Sequence, residues 1–394
     1  MALNSKIEPT YSLKSIEISN FKGIKEIHLK NLPREASWIF LTGENGYGKT
    51  SILQAISLGL YFNDDQKAER SIRLKDYFTG KGVIKPGIHS NAEPFSFNEA
   101  RQILKKRGLN VKGFPFLTCY GSSRLDTYSE SSNVDILSDT TYNLFDSTSL
   151  LQNIELQLSR WYFKREDPEF REKYDYVTKL LIEILGIKKI TIDKKTDEVL
   201  YTEQDEEGHP YQSLPARHLA AGYRSLISMI GDMILRLFEL QPKITDPSKL
   251  EGIIIIDELD LHFHPKWQKK LPGLLSNCFP KIQFIASTHS PIPLLGAPKR
   301  SVFLTVNRSA EEGISLERLV HLEQELPKLT PNLLLDSPIF GYADLFSSQA
   351  EPDVPVYTET SHAEISLNEQ IQKDLESKLS PKKREELRKL LKKG

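Results

Sequence analysis

A glycine-rich octapeptide, Gly43–Thr50, constrains the fold of this chain more than any other segment. Its sequence is Gly-Glu-Asn-Gly-Tyr-Gly-Lys-Thr, and it lies between the apolar run Trp38–Leu41 and a helical pattern of apolar residues. Glycines let the backbone of such a loop turn its N–H groups inward, and the following helix adds its positive N-terminal end. This strand–loop–helix context predicts a phosphate-binding P-loop; the alternative is a plain glycine turn.

Each residue type of the loop has an expected part in binding a nucleotide. Lys49 would neutralise the β- and γ-phosphates, and the hydroxyl of Thr50 would bind Mg²⁺. The cofactors predicted from this motif are therefore ATP and Mg²⁺. The residues expected to contact the nucleotide in this segment are Gly43, Glu44, Asn45, Gly46, Tyr47, Gly48, Lys49, Thr50 and Ser51.

Two adjacent carboxylates follow the most apolar run of the chain. Ile253–Ile256 has the composition of a buried central strand of a parallel sheet, and Asp257 and Glu258 come directly after it. Ligands bind at the carboxyl ends of such strands. We expect Asp257 to bind Mg²⁺ and Glu258 to act as the catalytic residue that polarises the attacking water. The alternative is a strand that merely ends in solvated acids.

The rest of the chain alternates between strand and helix patterns, which indicates an α/β fold. An N-terminal antiparallel pair of strands is predicted on either side of Lys22-Gly23, and further strands at about 115–120 and 282–287. Helices are predicted at about 150–164, 168–186 and 266–276, and from Gly222 onward. A charged hairpin is predicted near 191–201.

Composition excludes several classes of protein. The chain has 52 lysines and arginines against 53 acidic residues, so it is not a globally basic nucleic-acid binder. Two distant cysteines, Cys119 and Cys278, do not make a disulfide scaffold or a cysteine-rich zinc module. The run Ile253–Ile256 is too short to span a bilayer, and no signal-peptide core is present. We expect a soluble, cytoplasmic protein that does not bind membranes.

Taken together, the motifs resemble those of ATPase heads of the ATP-binding-cassette superfamily. They are most similar to the branch of chromosome-maintenance, RecF-type recombination-repair and OLD (overcoming-lysogenisation-defect) proteins. The segments that carry this resemblance are Ser15–Ile24, Tyr120–Arg124, Asp257–Gln268 and Ser287–Pro291, in the expected order. The resemblance implies an α/β head with a mixed P-loop sheet flanked by helices, an N-terminal antiparallel β element and a short helical insertion.

The resemblance also implies a homodimer that closes over ATP. Leu219–Arg224 matches the signature segment of the family, so Ala221 and Gly222 would contact the nucleotide bound by the other subunit. Ala220 occupies the position of the usual serine, which removes a hydroxyl donor. Lys22, in the Asn-Phe-Lys element, is a further expected nucleotide contact. The glutamine loop of the family has no clear counterpart.

A histidine after the predicted strand at 282–287 is a second expected catalytic residue. His289 corresponds to the family's switch histidine, from which it would sense the γ-phosphate. The alternatives are a structural histidine, or a zinc site with His262 and His264. No third acidic or cysteine ligand is spaced to close such a site, and the two histidines fit the D-loop of the family instead.

Four regions are predicted along the chain. Residues 1–125 and 214–348 would form the two parts of the head, and 126–213 a helical insertion or short arm. Residues 349–394 would form a linker and a basic tail helix that begins near Ser380. That helix is either a solvated terminus or a docking helix for a partner protein or nucleic acid. No nuclease domain of the OLD kind is expected after the head.

These observations leave several functions open. The first is an ATPase that senses and gates a separate effector, an HNH-type nuclease by preference, in bacterial anti-phage defence. Its heads resemble the ATPase subunits of two-component systems of the Septu type. The second is a DNA-repair ATPase that binds DNA directly, and the third is a scaffold locked by nucleotide with little turnover. A transporter ATPase is the least favoured.

Overall fold

The structure of the 394-residue chain is a computed structural model. The chain divides into two compact units, Met1–Pro327 and Lys328–Gly394. The predicted tail helix from Ser380 lies outside the described residues, as do Ser123 and Arg124. The described positions are 8–60, 78–90, 114, 116–122, 141–146, 149–335, 337, 340, 367–368, 370–371 and 373.

A nine-stranded mixed sheet organises the first unit, with the strand order β4-β1-β2-β12-β11-β3-β10-β9-β5. The half from β11 to β5 is parallel and the half from β4 to β11 is antiparallel. This arrangement confirms the predicted mixed α/β sheet with an antiparallel N-terminal element. The strands are β1 (Tyr11–Phe21), β2 (Ile24–Leu29), β3 (Trp38–Thr42), β4 (Phe78–Ser90), β5 (Leu117–Tyr120), β9 (Gly252–Ile256), β10 (Ile282–Ser287), β11 (Val302–Ser309) and β12 (Gly313–Arg318).

The central parallel strands are apolar because both faces of the sheet are covered. Every residue of β3, β9 and β10 is buried. On one face, Ile39, Ile253 and Ile285 pack in a core shared with helix α1 (Lys49–Leu60). On the other, the ring of Trp38 stacks on Phe40 and Phe284 at centroid distances of 5.0 and 4.7 Å. The strands therefore form the middle layer of a helix–sheet–helix sandwich.

The N-terminal hairpin turns in two residues. Phe21 pairs with Ile24, so Lys22 and Gly23 form the whole loop, with φ of 44° and 82°. Two positive φ angles in succession are characteristic of a type I′ turn, which matches the twist of the flanking strands and favours glycine at the second position. The predicted break at Lys22-Gly23 is confirmed.

The longer helices flank the sheet and the insertion. Among the described residues, none has the length and apolar composition needed to cross a lipid bilayer. Helix α4 is buried along most of its length. Besides α1, the helices are α2 (Ile154–Phe163), α3 (Pro168–Leu185), α4 (Ala221–Leu240), α5 (Pro265–Cys278), α6 (Ile292–Leu295) and α7 (Val320–Glu325), with α8 (Pro331–Leu335) in the second unit.

The predicted insertion contains a sheet as well as helices. Asp167 caps the start of α3, and Gly186 ends the helix with a left-handed φ of 64°. These two residues explain why the helix begins and ends close to the predicted positions 168 and 186. After α3, the strands β6 (Lys189–Ile192), β7 (Val199–Gln204) and β8 (Pro210–Pro215) form a separate antiparallel sheet. The description of 126–213 as helical was therefore incomplete, because β8 adds a third strand to the predicted hairpin. The boundaries of the insertion remain a prediction.

Gly231→Ala provides a test of the contact between α4 and α2. A β-carbon at Gly231 would lie 2.5 Å from the β-carbon of Ile154, which cannot move without its helix. Alanine favours a helix by about 1 kcal/mol over glycine, whereas overpacking costs about 1–3 kcal/mol. We expect Gly231→Ala to lower the free energy of unfolding measured in urea.

The matched control is Gly273→Ala, in the interior of α5. There a β-carbon would meet only the Gly296 carbonyl oxygen, at 3.8 Å, so helix propensity should prevail and the variant should gain stability. A more stable Gly231→Ala would contradict the close approach of the two helices.

Candidate functional site

The candidate site lies at the carboxyl edge of the central parallel strands. Strands β3, β10 and β9 are parallel neighbours, so their C-terminal ends meet at one edge of the sheet. The glycine-rich loop follows β3, Asp257 and Glu258 follow β9, and His289 lies two residues after the end of β10. Parallel pairing thus brings together three segments that are far apart in sequence.

Two glycines of the loop lie too close to other strands for a side chain. A β-carbon at Gly43 would lie 2.4 Å from the carbonyl oxygen of Val306, and one at Gly48 would lie 2.4 Å from the δ-carbon of Ile314. Both have positive φ, 133° and 100°. Gly46 also has positive φ, but a β-carbon there would meet nothing within 4 Å. The loop is therefore fixed on the β11–β12 side and open around Gly46.

Lys49 is buried, with its ammonium group inside the loop. Its Nζ donates to the carbonyl oxygens of Gly43 and Glu44 at 2.6 and 2.9 Å, and lies 3.1 Å from Nδ1 of His289. Burial lowers the pKa of Lys49 to about 8, although Asp257 and other nearby carboxylates oppose this. Burial and the charge of Lys49 also lower the pKa of His289. A neutral His289 can therefore accept a hydrogen bond from the ammonium group.

The Asp257 carboxylate connects the start of α1 to the end of β10. Its Oδ2 accepts from the Thr50 hydroxyl at 2.7 Å, and its Oδ1 accepts from the Ser287 hydroxyl. The same Ser287 oxygen accepts from the N–H of Glu258 at 2.8 Å. Glu258 has φ of 51°, a left-handed conformation that is uncommon outside glycine and clusters at functional sites.

Two predicted nucleotide contacts belong to neighbouring segments. Nζ of Lys22, in the β1–β2 turn, donates to Oε1 of Gln54 on α1 at 2.6 Å, and burial lowers the pKa of Lys22. Ala221 and Gly222 begin α4, where no side chain caps the helix because its N-cap is Ala220. A β-carbon at Gly222 would lie 3.2 Å from the His262 carbonyl oxygen. No described hydrogen bond joins Ala221 or Gly222 to the glycine-rich loop of the same chain.

The structure adds three residues to which the sequence assigned no role. Ser287 bonds to Asp257 and to the N–H of Glu258, and Gln268 joins the turn before α5 to Ser290, the residue after His289. Nη1 of Arg308, on β11, donates to the carbonyl oxygen of Gly46 at 3.1 Å. The polar run that begins at Ser287, the last residue of β10, was the one sequence signal that could have drawn attention to this serine. Arg308 had no such signal, because it comes near Gly46 only through the pairing of β11 with β3.

The part of the chain that the structure describes contains no group of three histidine, cysteine, aspartate or glutamate side chains arranged to bind a metal ion. His262 and His264 lie in the turn between β9 and α5, where His264 is the N-cap of α5. Thr50 and Asp257 instead offer a hydroxyl and a carboxylate oxygen side by side. Such oxygen ligands suit Mg²⁺.

A family model matches residues 39–293, the segment that contains the loop, the acids and His289. Its description is "AAA domain, putative AbiEii toxin, Type IV TA system". The match begins within β3 and ends within α6, so it covers most of the parallel half of the sheet.

Individual proteins resemble parts of the chain. The Septu protein PtuA of Bacillus mycoides is 31% identical over 343 residues, which are 84% of this chain and 45% of that protein. The Retron Vc95 probable ATPase of Vibrio cholerae is 48% identical over 77 residues, 20% of this chain and 15% of that protein. The chain thus spans less than half the length of these two relatives. A solved Smc head domain from Pyrococcus furiosus is 12% identical, with a TM-score of 0.46, over 81% of this chain and 99% of that one.

Ser287→Ala tests the hydrogen bonds at the Asp257 carboxylate. The substitution leaves the half-buried Glu258 N–H without its hydroxyl acceptor and removes a buried donor to Asp257. We expect a loss of about 1–3 kcal/mol in the free energy of unfolding, measured by chemical denaturation.

Ser225→Ala is the matched control. The Ser225 hydroxyl, on α4, is also buried but has no hydrogen-bond partner among the described residues. Its removal should leave stability unchanged or raise it, because an unsatisfied buried polar group is lost. Equal losses in the two variants would contradict the arrangement around Asp257.

Proposed function

Since the chain belongs to the AAA-domain family whose model matches residues 39–293, we propose that it binds and hydrolyses ATP and thereby controls a separate effector. The observation that carries the proposal is the convergence of Lys49, Thr50, Asp257 and His289 at one edge of the sheet. A buried ammonium group, a hydroxyl–carboxylate pair and an open backbone loop are complementary to a polyphosphate with its cation.

The residues at this edge fit Mg²⁺·ATP. Lys49 Nζ is held by two loop carbonyl oxygens and can turn to phosphate oxygens without leaving the loop. The hydroxyl of Thr50 and the carboxylate of Asp257 would hold Mg²⁺, which supplies positive charge beside the phosphates when bound. The backbone from Gly43 to Ser51 and the ammonium group of Lys22 would complete the nucleotide contacts.

Glu258 is proposed as the general base, and His289 as a catalytic residue that senses the γ-phosphate. The left-handed backbone at Glu258 and the bond from its N–H to Ser287 fix where its side chain begins. A carboxylate at this point can accept a proton from the attacking water. His289 touches Lys49, so displacement of the ammonium group toward a phosphate would change the hydrogen bonding of the imidazole.

Two copies are proposed to close over the nucleotide, each presenting Ala221 and Gly222 to the partner's site. The first N–H groups of α4, which no side chain caps, would meet the γ-phosphate there. Because Ala220 provides no hydroxyl, this contact depends on the backbone, which favours slow turnover.

The effector is proposed to be a nuclease, preferably of the HNH type, in cytoplasmic anti-phage defence. Similarity to a Septu protein PtuA and to a probable retron ATPase supports the defence role. Contact with nucleic acid would be made through the partner or the basic tail helix. The proposal of a separate effector is tested by co-purification of the chain with the product of the neighbouring gene. A chain that purifies without a partner and binds duplex DNA by itself would favour the DNA-repair alternative.

Lys49→Ala should abolish nucleotide binding, measured by calorimetric titration with ATP, because the phosphate charge then has no buried counter-ion.

The nucleotide affinity of the parent chain should also depend on pH, measured by the same calorimetric titration. A phosphate beside the ammonium raises the pKa of Lys49 above its free value of about 8. Affinity should therefore be nearly constant from about pH 7 to pH 8 and fall above pH 8, by at most about tenfold per pH unit.

The phosphates are already fully ionised above pH 8, so they do not produce this fall. Binding that is unchanged by Lys49→Ala would overturn the assignment of the P-loop. An affinity that stays constant from pH 7 to pH 9.5 would instead contradict the buried environment of Lys49.

Glu258→Gln should retain ATP binding and lose hydrolysis. The amide keeps the shape of the side chain but cannot take a proton from water, a contribution of about 10²–10⁴-fold in rate. Phosphate release and the proportion of dimer, by size-exclusion chromatography with light scattering, are the measurements. We expect ATP to accumulate a closed dimer of the variant; a parental rate of hydrolysis would assign the base to another residue.

A further inference from the structure

Gln268, in the first turns of α5, uses both ends of its side chain amide. Its Nε2 donates to the carbonyl oxygens of Phe263 and Asp260 at 2.9 and 3.2 Å. Its Oε1 accepts from the Ser290 hydroxyl at 2.8 Å. One half-buried side chain therefore joins the turn before α5 to the segment that follows His289.

The same two segments are joined again on the other side of His289. Oδ1 of Asp260 accepts from the Thr288 hydroxyl at 2.7 Å and from the His289 N–H at 3.2 Å. The N–H of Ser290 donates to the Thr288 hydroxyl oxygen at 3.1 Å. Asp260, Thr288, Ser290 and Gln268 thus form a closed hydrogen-bonded ring, which we call the switch ring, with His289 inside the segment that it clamps.

The switch ring touches two parts of the candidate site. On one side, Nδ1 of His289 lies 3.1 Å from Nζ of Lys49. On the other, the turn that Gln268 holds includes His262, whose carbonyl oxygen packs against Gly222 at the start of α4. Loosening the ring would therefore loosen both the imidazole beside Lys49 and the turn beside Gly222.

We propose that Gln268 is a positioning residue, which holds His289 against Lys49 and the His262–Phe263 turn against the start of α4. It acts through these neighbours and is not itself a ligand of the nucleotide. Its effect on turnover rests on the proposed ATPase function, whereas its effect on the two segments does not.

The chemistry of the ring requires an amide at this position. Two carbonyl oxygens each need a donor and one hydroxyl needs an acceptor, and only the side-chain amides of asparagine and glutamine offer two N–H donors and an acceptor without charge. A glutamate would place a carboxylate against two carbonyl oxygens, and a lysine would leave the Ser290 hydroxyl without its acceptor. Methionine has nearly the same length and makes none of the three bonds.

The test compares Gln268→Met with Lys270→Met, an exposed position on the same helix, in the full chain without nucleotide. Hydrogen exchange of the backbone N–H groups of Thr288, His289, Ser290 and Ile292 is measured by mass spectrometry. Gln268→Met should speed this exchange by about tenfold, because the segment loses the hydrogen bond from Ser290 that holds it to α5. Exchange in β9 and β10 should stay at the parental rate, and Lys270→Met should change neither.

Turnover provides the second measurement. Gln268→Met should lower kcat by about tenfold and leave KM and ATP affinity within about twofold, since the binding loop is untouched. Ser290→Ala opens the ring from its other side, so the double variant should be little worse than either single variant. If Gln268→Met unfolds, Ser290→Ala carries both measurements.

Parental exchange and parental kcat in Gln268→Met would overturn the proposal. A loss of kcat matched by an equal rise in KM would also overturn it, since that pattern indicates a binding role. Failure of the proposed ATPase function would give a different result. If the parent chain does not hydrolyse ATP but Gln268→Met still speeds exchange at 288–292, the role of Gln268 in holding this segment is supported and only the ATPase proposal fails.

Discussion

The carboxylate of Asp257 is the group on which the candidate site depends. It is buried at the end of β9 and accepts two hydrogen bonds, one from the Thr50 hydroxyl on α1 and one from the Ser287 hydroxyl on β10. A buried carboxylate is costly unless hydrogen bonds satisfy it, so these two donors stabilise the charge and also fix the distance between the three segments. The helix that follows the glycine-rich loop and the strand that leads to His289 are thereby set against the same pair of oxygens.

The antiparallel half of the sheet contributes to the site by limiting where the glycine-rich loop can lie. The Val306 carbonyl oxygen of β11 leaves no space for a β-carbon at Gly43, and the Ile314 side chain of β12 packs against the backbone at Gly48. Ile314 in turn donates its N–H to the Gly23 carbonyl oxygen in the N-terminal turn. The N-terminal hairpin, although remote in sequence, therefore helps to position the glycine-rich loop, and both halves of the sheet contribute to the candidate site.

Local patterns predicted the parts of the site that one segment can encode. The octapeptide, the isoleucine run with its two acids and the histidine after β10 each carry their own signal, and parallel pairing placed them together as expected. Gln268, Arg308 and Ser287 could not be assigned roles in this way, because each acts on a segment at least 20 residues away through a pairing that the sequence does not specify. The third strand of the insertion was missed for a related reason: Pro210–Pro215 is polar and largely exposed, so its pairing with β7 leaves no apolar alternation.

A second buried network explains how α4 keeps its place beside this edge. Oδ2 of Asp232 accepts from the Tyr120 hydroxyl and from Nε of Arg236 at 2.8 and 2.7 Å, and its Oδ1 accepts from the Gln152 N–H. Tyr120 ends β5, and its carbonyl oxygen accepts from the N–H of Asp257. The helix that begins with Ala221 is thus tied to β5, the neighbour of β9, by the bond from the Tyr120 hydroxyl to Asp232. The ion pair between Asp232 and Arg236 lies within the helix and has almost no exposure, so removal of either side chain would leave a buried charge without this counter-charge. Because the same aspartate also holds the segment before α2, the insertion is connected to the candidate site through Asp232 and Tyr120.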